Sequence, residues 1–134
     1  MKLDLNQGID ARLIDGDVAR RIAQIKPLKP WRIAFDTLGC EKAVMGAIDL
    51  LRDAGLNVRT KLMCYVYVHD DTQFDDALYR CNRLREKGVL AYVMLNQDHQ
   101  FGGMVKTLRR WTTPWIYYKC TFDEYLQSRG DKLY

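Results

Sequence analysis

The sequence predicts an α/β fold of four βα units with a parallel sheet. Four short runs rich in Val, Ile, Leu, Phe and Tyr alternate with four amphipathic helical patterns, and this alternation is typical of right-handed crossovers between parallel strands. The predicted strands cover residues 3–7, 31–37, 58–69 and 89–95, so successive strands start roughly 27 to 31 residues apart. Units of this length form half of an eight-stranded barrel or a small open sheet, and periodicity does not choose between them.

The first unit joins the strand-like "LDLN" to the helical pattern "DGDVARRIAQIK". Val18, Ile22 and Ile25 share one face of this helix, and Pro27 and Pro30 end it. Because the first strand begins almost at Met1, we expect the chain to be the second part of a larger fold.

The next two units follow the same scheme. "WRIAFDT" and "VRTKLMCYVYVH" are the strands, and "EKAVMGAIDLLRDAG" and "DALYRCNRLREKG" are the helices. Gly55 and Gly88 are predicted to close these helices. "TQFD" has the spacing of a capping box between Thr72 and Asp75.

In the fourth unit, the polar loop "NQDHQFGG" joins the strand "VLAYVML" to the helix "MVKTLRRW". The tail "PWIYYKCTFDEYLQ" is predicted to add a short extended piece and a final turn of helix.

Composition fits one globular domain in the cytoplasm. The chain has 134 residues, 48% of them hydrophobic and 28% charged. No window approaches the roughly eighteen consecutive apolar residues of a membrane span, and the polar first residues do not form a signal peptide. The net charge of +4 is modest. Its densest cluster, "KTLRRW", has the pattern of one helix face, which argues against a nucleic-acid partner.

The four cysteines, at positions 40, 64, 81 and 120, contain no CxxC spacing. This excludes a self-contained zinc ribbon or iron–sulfur motif. We expect free thiols, with Cys64 and Cys81 in the core and Cys40 and Cys120 undecided.

The predicted strands end in polar segments that read "NQGIDAR", "DTLGC", "HDDTQ" and "NQDHQFGG". The opposite loops are short. Because ligands of parallel α/β folds bind beyond the carboxyl ends of the strands, these segments predict a ligand site at that end of the sheet.

Several stretches, in order and at their spacing, resemble the C-terminal half of a radical S-adenosylmethionine (SAM) protein of a bacterial subgroup. They are "LNQGIDARLID", "RIAFD", "YVYVHDDTQFDDALYRCNRLREKG" and "AYVML". The resemblance extends to about Trp111. It implies half of a TIM-like (β/α) barrel, in which the four strands are the third to sixth of a (β/α)6 barrel.

The resemblance also implies a cofactor and a partner. SAM would be cleaved at a [4Fe–4S] cluster held by a CxxxCxxC loop, and that loop would belong to a missing N-terminal half-barrel. We therefore expect this chain to bind SAM and substrate in part, and to show no radical activity alone. The substrate is not identified.

Asp36 is the position that the resemblance assigns to the SAM ribose. Strand alternation places Arg32, Ala34 and Asp36 on one face and Ile33 and Phe35 toward the helices. A carboxylate suits a vicinal diol because it accepts two hydrogen bonds. The alternative is that Asp36 only caps its loop.

Four further residues are candidates for SAM binding. Gln7 and Arg12 would hold the methionyl end, with Arg12 pairing to its carboxylate. Alternatively, Arg12 pairs with Asp10 or Asp15, and Asn6 and Gln7 only hydrogen-bond the strand-end backbone. His69 replaces the glycine usual after the fifth barrel strand, and Asn96 would contribute backbone contacts after the sixth.

Two other interpretations remain open. The chain could be a non-catalytic α/β module that forms a homo-oligomer, or docks on a partner, through unpaired edge strands. A weaker hypothesis is a mixed metal site at the segments around His69 and His99.

Overall fold

The protein contains an open three-stranded parallel sheet, seen in a computed structural model that describes residues 8–27 and 29–133, with side chains described to Arg129. The strands are β1 (Trp31–Ala34), β2 (Leu62–Val68) and β3 (Leu90–Leu95). Their order is β1-β2-β3, with Ile33 opposite Cys64 and Val66 opposite Val93. The predicted parallel α/β arrangement is therefore confirmed, and the sheet does not close.

The predicted strand at 3–7 lies outside the described residues. Directly after it, Ile9 forms a parallel bridge with Ile33, and its N–H donates to the carbonyl of Arg32 at 2.6 Å. The chain therefore runs beside β1 on the side away from β2.

The prediction of a strand from residue 58 is wrong in its first four residues. Val58–Lys61 forms a helical turn, α3. The carbonyl of Asn57 accepts the N–H groups of Thr60 and Lys61 at 3.2 and 2.8 Å, and the turn buries Val58. Val58 is therefore buried by the helical turn, without belonging to a strand, and β2 begins only at Leu62.

Each strand is flanked by at least one helix of two or more turns. The helix bounds are α1 (Gly16–Gln24), α2 (Glu41–Asp53), α4 (Phe74–Glu86), α5 (Gly103–Trp111), the single turn α6 (Pro114–Tyr117) and α7 (Phe122–Leu133). The single helical turn α3 lies between α2 and β2, and the single turn α6 lies between α5 and α7. The predicted extended piece in the tail is therefore wrong. Pro114 instead starts the turn α6, where a proline is favoured.

Helix closure by glycine is confirmed. Gly55 and Gly88 have φ angles of 100° and 73°, which side chains disfavour. The following N–H groups, of Leu56 and Val89, donate back to Leu51 and Leu84 at 3.0 Å, as in a Schellman motif.

The predicted capping box does not form. Asp70 accepts the backbone N–H of Thr72 at 2.9 Å and also the Thr72 hydroxyl. Thr72 instead lies within the 3₁₀ turn Asp71–Gln73, and Gln73 is the N-cap of α4, so the Thr72 oxygen is not in the capping position.

One sheet face packs on the helices and the other remains open. On the covered face, Ile33, Cys64 and Val66 have no exposed surface. On the open face, Tyr67, Tyr92 and Met94 are 38%, 50% and 42% exposed. In the part of the chain that the structure describes, no helix has the length and apolar character needed to cross a bilayer.

Candidate functional site

Asp36 lies directly beyond β1 and is held by the neighbouring strand. Its Oδ1 atom accepts the backbone N–H of Tyr67 at 3.2 Å. Its other oxygen accepts no hydrogen bond from a described residue. The predicted alternation is confirmed, since Ile33 and Phe35 are buried and Asp36 is exposed. Asp36 therefore presents one carboxylate oxygen at the rim of the open face.

A buried arginine connects the ends of β1 and β2 beneath Asp36. Arg80, on α4, has no exposed side-chain surface. Its Nη1 donates to the carbonyls of Phe35 and Tyr67 at 2.7 and 3.1 Å, and its Nε donates to Asp76. Its Nη2 is buried without a partner in the described structure. Arg80 thus holds the two backbone segments that flank Asp36.

Arg80 is a site residue that the sequence motifs do not identify, although its position carries a signal. Arg80 lies on the apolar face of α4 with Ala77 and Leu84, three and four residues away. A cation on such a face must find buried acceptors. Free strand-end carbonyls are acceptors of this kind.

Arg12 pairs with Asp10, one of the two alternatives left open. The Nη2 and Nε atoms of Arg12 lie 2.7 and 3.0 Å from the Asp10 carboxylate. The pKa of Asp10 is lowered, chiefly by the hydrogen bond from the Arg12 side chain and then by the one from the Arg12 backbone. Arg12 is 75% exposed, so the pair leaves it accessible.

A cleft of about 340 Å³ brings Arg12 and Asp36 together. Its lining comes from residues 8–12, from the end of β1 and from the start of α2. Its lining residues include Asp10, Arg12, Ala34, Asp36 and Cys40. Gln7, the other candidate at this strand, lies outside the described residues. The cleft therefore joins two of the predicted SAM contacts.

His69 and Asn96 lie together, but elsewhere on the rim. The Asn96 amide donates to the His69 carbonyl at 3.2 Å and lies 3.4 Å from His69 Nδ1. The backbone N–H of His69 donates to Gln73 at 2.6 Å. The polar backbone groups of His69 are thus already engaged. This pair lines a second, open cleft with Thr72 and His99.

Asp71 connects the loops after β2 and β3. Its carboxylate accepts the Gly102 N–H at 2.7 Å and lies 2.8 Å from His99 Nε2. The pKa of Asp71 is lowered, first by the bond from Gly102 and then by the one from His99. A Cβ at position 102 would lie 2.8 Å from Asp71 Oδ2. Glycine at 102 thus permits this close contact.

The metal hypothesis gains no geometric support. Within residues 8–27 and 29–133, no group of three or more His, Cys, Asp or Glu side chains is placed to hold a metal ion. The cysteines are free. Cys64 and Cys81 are buried as predicted, and burial raises the pKa of the Cys81 thiol to about 12. These thiols serve packing.

Comparison with known proteins adds no relative: no family model, no curated protein and no solved structure matches the chain.

Proposed function

We propose that this chain is the SAM-binding half of a radical SAM enzyme and that it binds the ribose of SAM through Asp36. The observation that carries the proposal is the oriented carboxylate. One oxygen of Asp36 is fixed by the Tyr67 N–H, and Asp36 lines the cleft that also contains Arg12.

The residues of this cleft fit a nucleoside with a charged tail. The open oxygen of Asp36 suits a ribose hydroxyl, because a carboxylate is a strong acceptor. Arg12 is exposed enough to exchange part of its contact with Asp10 for the carboxylate of the methionyl group. Arg80 keeps the Phe35 and Tyr67 carbonyls in place, so the approach to Asp36 is pre-organised.

Two further features of the chain define how SAM would bind. His69 already uses its backbone N–H and carbonyl within the protein, so adenine would have to stack or bind at other backbone groups. The four cysteines are not grouped as cluster ligands in the described structure. The proposal therefore gives this chain no part in holding the [4Fe–4S] cluster, whose chemistry is the reductive cleavage of SAM.

Calorimetric titration of the chain with S-adenosylhomocysteine tests the proposal. We expect saturable binding, competition by adenosine, and binding about tenfold weaker in Asp36→Asn, because one charge-assisted hydrogen bond is lost. Asp53→Asn, at the end of α2, is the matched control and should bind as the parent chain does.

Absence of saturable binding, or equal affinity in the parent and Asp36→Asn, would contradict the proposal. In that event the non-catalytic α/β module becomes the better account of the chain. Thermal melts of both variants establish that any loss of binding does not reflect unfolding.

A further inference from the structure

The outer edge of β3 offers unpaired backbone groups. The N–H of Asn96 donates to the Val68 carbonyl at 3.0 Å, which shows that the polar groups of residue 96 face β2. Because these groups alternate sides along a strand, those of Ala91, Val93 and Leu95 point away from β2. No other strand of the described sheet pairs with this edge.

A groove runs beside this edge, between β3 and α5. Its volume is about 380 Å³, and its lining includes Val93, Leu95, Arg109 and Thr113. The hydroxyl of Thr113 is buried there and has no hydrogen-bond partner in the described structure. The groove therefore combines an open strand edge with an unused polar group.

The charge along the groove is positive. Lys106 and Arg110 continue its wall beside Leu95 and Arg109. These three basic side chains of α5 are exposed, and none forms an ion pair with a described residue. Arg52, Arg83 and Lys87, by contrast, each pair with a carboxylate. No Asp or Glu lines this part of the described surface.

We propose that the β3 edge binds an extended segment of another protein in which acidic and apolar side chains alternate. Such a segment would add a fourth strand to the sheet, as in β-augmentation. Its acidic side chains would face Lys106 and Arg109 on α5. Its apolar side chains would then lie on the opposite face and extend the exposed surface of Tyr92 and Met94.

The geometry favours a peptide over nucleic acid. Backbone N–H and C=O groups that alternate along an edge match another β-strand, whereas phosphates offer acceptors only. The site also lies apart from the cleft at Asp36, so this proposal does not depend on SAM binding.

The test uses the full chain and a fluorescein-labelled octapeptide, TEVEVEVT, in an anisotropy titration. We expect saturable binding that weakens about tenfold for the peptide TQVQVQVT, because the charge pairs are lost. Binding should also weaken at about 0.5 M salt, where exposed charge pairs are screened. The peptide TEVEPEVT, which keeps all three Glu residues, should bind poorly because proline lacks the N–H that a ladder needs.

Two variants locate the site. Lys106→Glu with Arg109→Glu should weaken binding at least about tenfold, whereas the control pair Arg21→Glu with Lys26→Glu, on and after α1, should not. Val93→Pro removes an outward N–H and should also abolish binding. If Val93→Pro fails to fold, the variant Lys106→Glu with Arg109→Glu, whose substitutions are exposed, still shows whether the peptide binds at this edge.

Several outcomes would overturn the proposal. The first is that TEVEVEVT does not bind, or binds equally well to the parent chain and to the Lys106→Glu, Arg109→Glu variant. A second is a dimer of the chain that Val93→Pro dissociates, which would show that a second copy occupies the edge. A third is an oligonucleotide that binds through Lys106 and Arg109 while the peptide does not.

Discussion

The two faces of the sheet differ although the same strands build them. On the helix-covered face, Ile33 and Val66 are completely buried. On the open face, Tyr92 and Met94 are half-exposed, and Tyr65 packs edge-on against Tyr92 with ring centroids 5.7 Å apart. Folding stability should therefore come mainly from the covered face. The open face and its rim remain available for binding.

The largest expected change in the free energy of unfolding comes from removing a similar apolar volume from each of the two faces. Ile33→Ala should lower the free energy of unfolding by about 2–5 kcal/mol, since it leaves a cavity in the core. Met94→Ala should change it by about 0.5 kcal/mol or less, because the side chain already contacts solvent. Urea denaturation followed by circular dichroism measures both. Equal losses would mean that the open face is covered in solution.

The next largest effect concerns the buried arginine between the covered face and the rim. Arg80→Ala removes the donors to two strand-end carbonyls and to Asp76. We expect a loss of about 3 kcal/mol from unsatisfied buried groups. Arg20→Ala, which breaks an exposed pair with Asp17, should cost about 0.5 kcal/mol or less. A loss in Arg80→Ala no larger than in Arg20→Ala would show that Arg80 does not hold the strand ends.

The smallest expected change in stability comes from Asp71, at the exposed rim. Because the folded state lowers the pKa of Asp71 below its ordinary value of 3.8, its stabilising contribution is present above pH 3.8. This contribution is lost as the pH falls through the folded-state value. The urea midpoint of Asp71→Asn should therefore lie below that of the parent chain at pH 6, and the two should converge below pH 3.8.

The control for this pH series is Asp53→Asn, which also removes one negative charge but touches neither loop. If the urea midpoints of Asp71→Asn and the parent chain differ by the same amount down to the lowest pH, the ionised Asp71 carboxylate is not the source of the stabilisation.

The sequence predicted those features that depend on local pattern. Alternation placed Asp36 on the open side of β1, and the left-handed positions of Gly55 and Gly88 followed from their places after amphipathic helices. Local pattern failed at Thr72, because the chain forms a 3₁₀ turn at Asp71–Gln73 and α4 begins only at Phe74. It also failed at Val58, where a turn buries the residue that was assigned to a strand.

The remaining site features depend on contacts between distant segments. Arg80 and the Phe35 carbonyl are 45 positions apart in the chain, and Asp71 and Gly102 are 31 apart. No local sequence motif predicts either of these contacts. The pairing of Arg12 with Asp10 is local, but sequence alone did not choose between Asp10 and Asp15.

The most direct test of the central claim is a nitrogen–proton NMR titration of the chain with S-adenosylhomocysteine. If Asp36 binds the ribose, the Tyr67 amide should shift, because its N–H is bonded to the Asp36 carboxylate. Shifts should also appear at Arg12 and along the open rim, and the amides of α4 and α5 that face away should stay in place. A spectrum without changes, or one with changes only on the helix side, would contradict SAM binding by this chain.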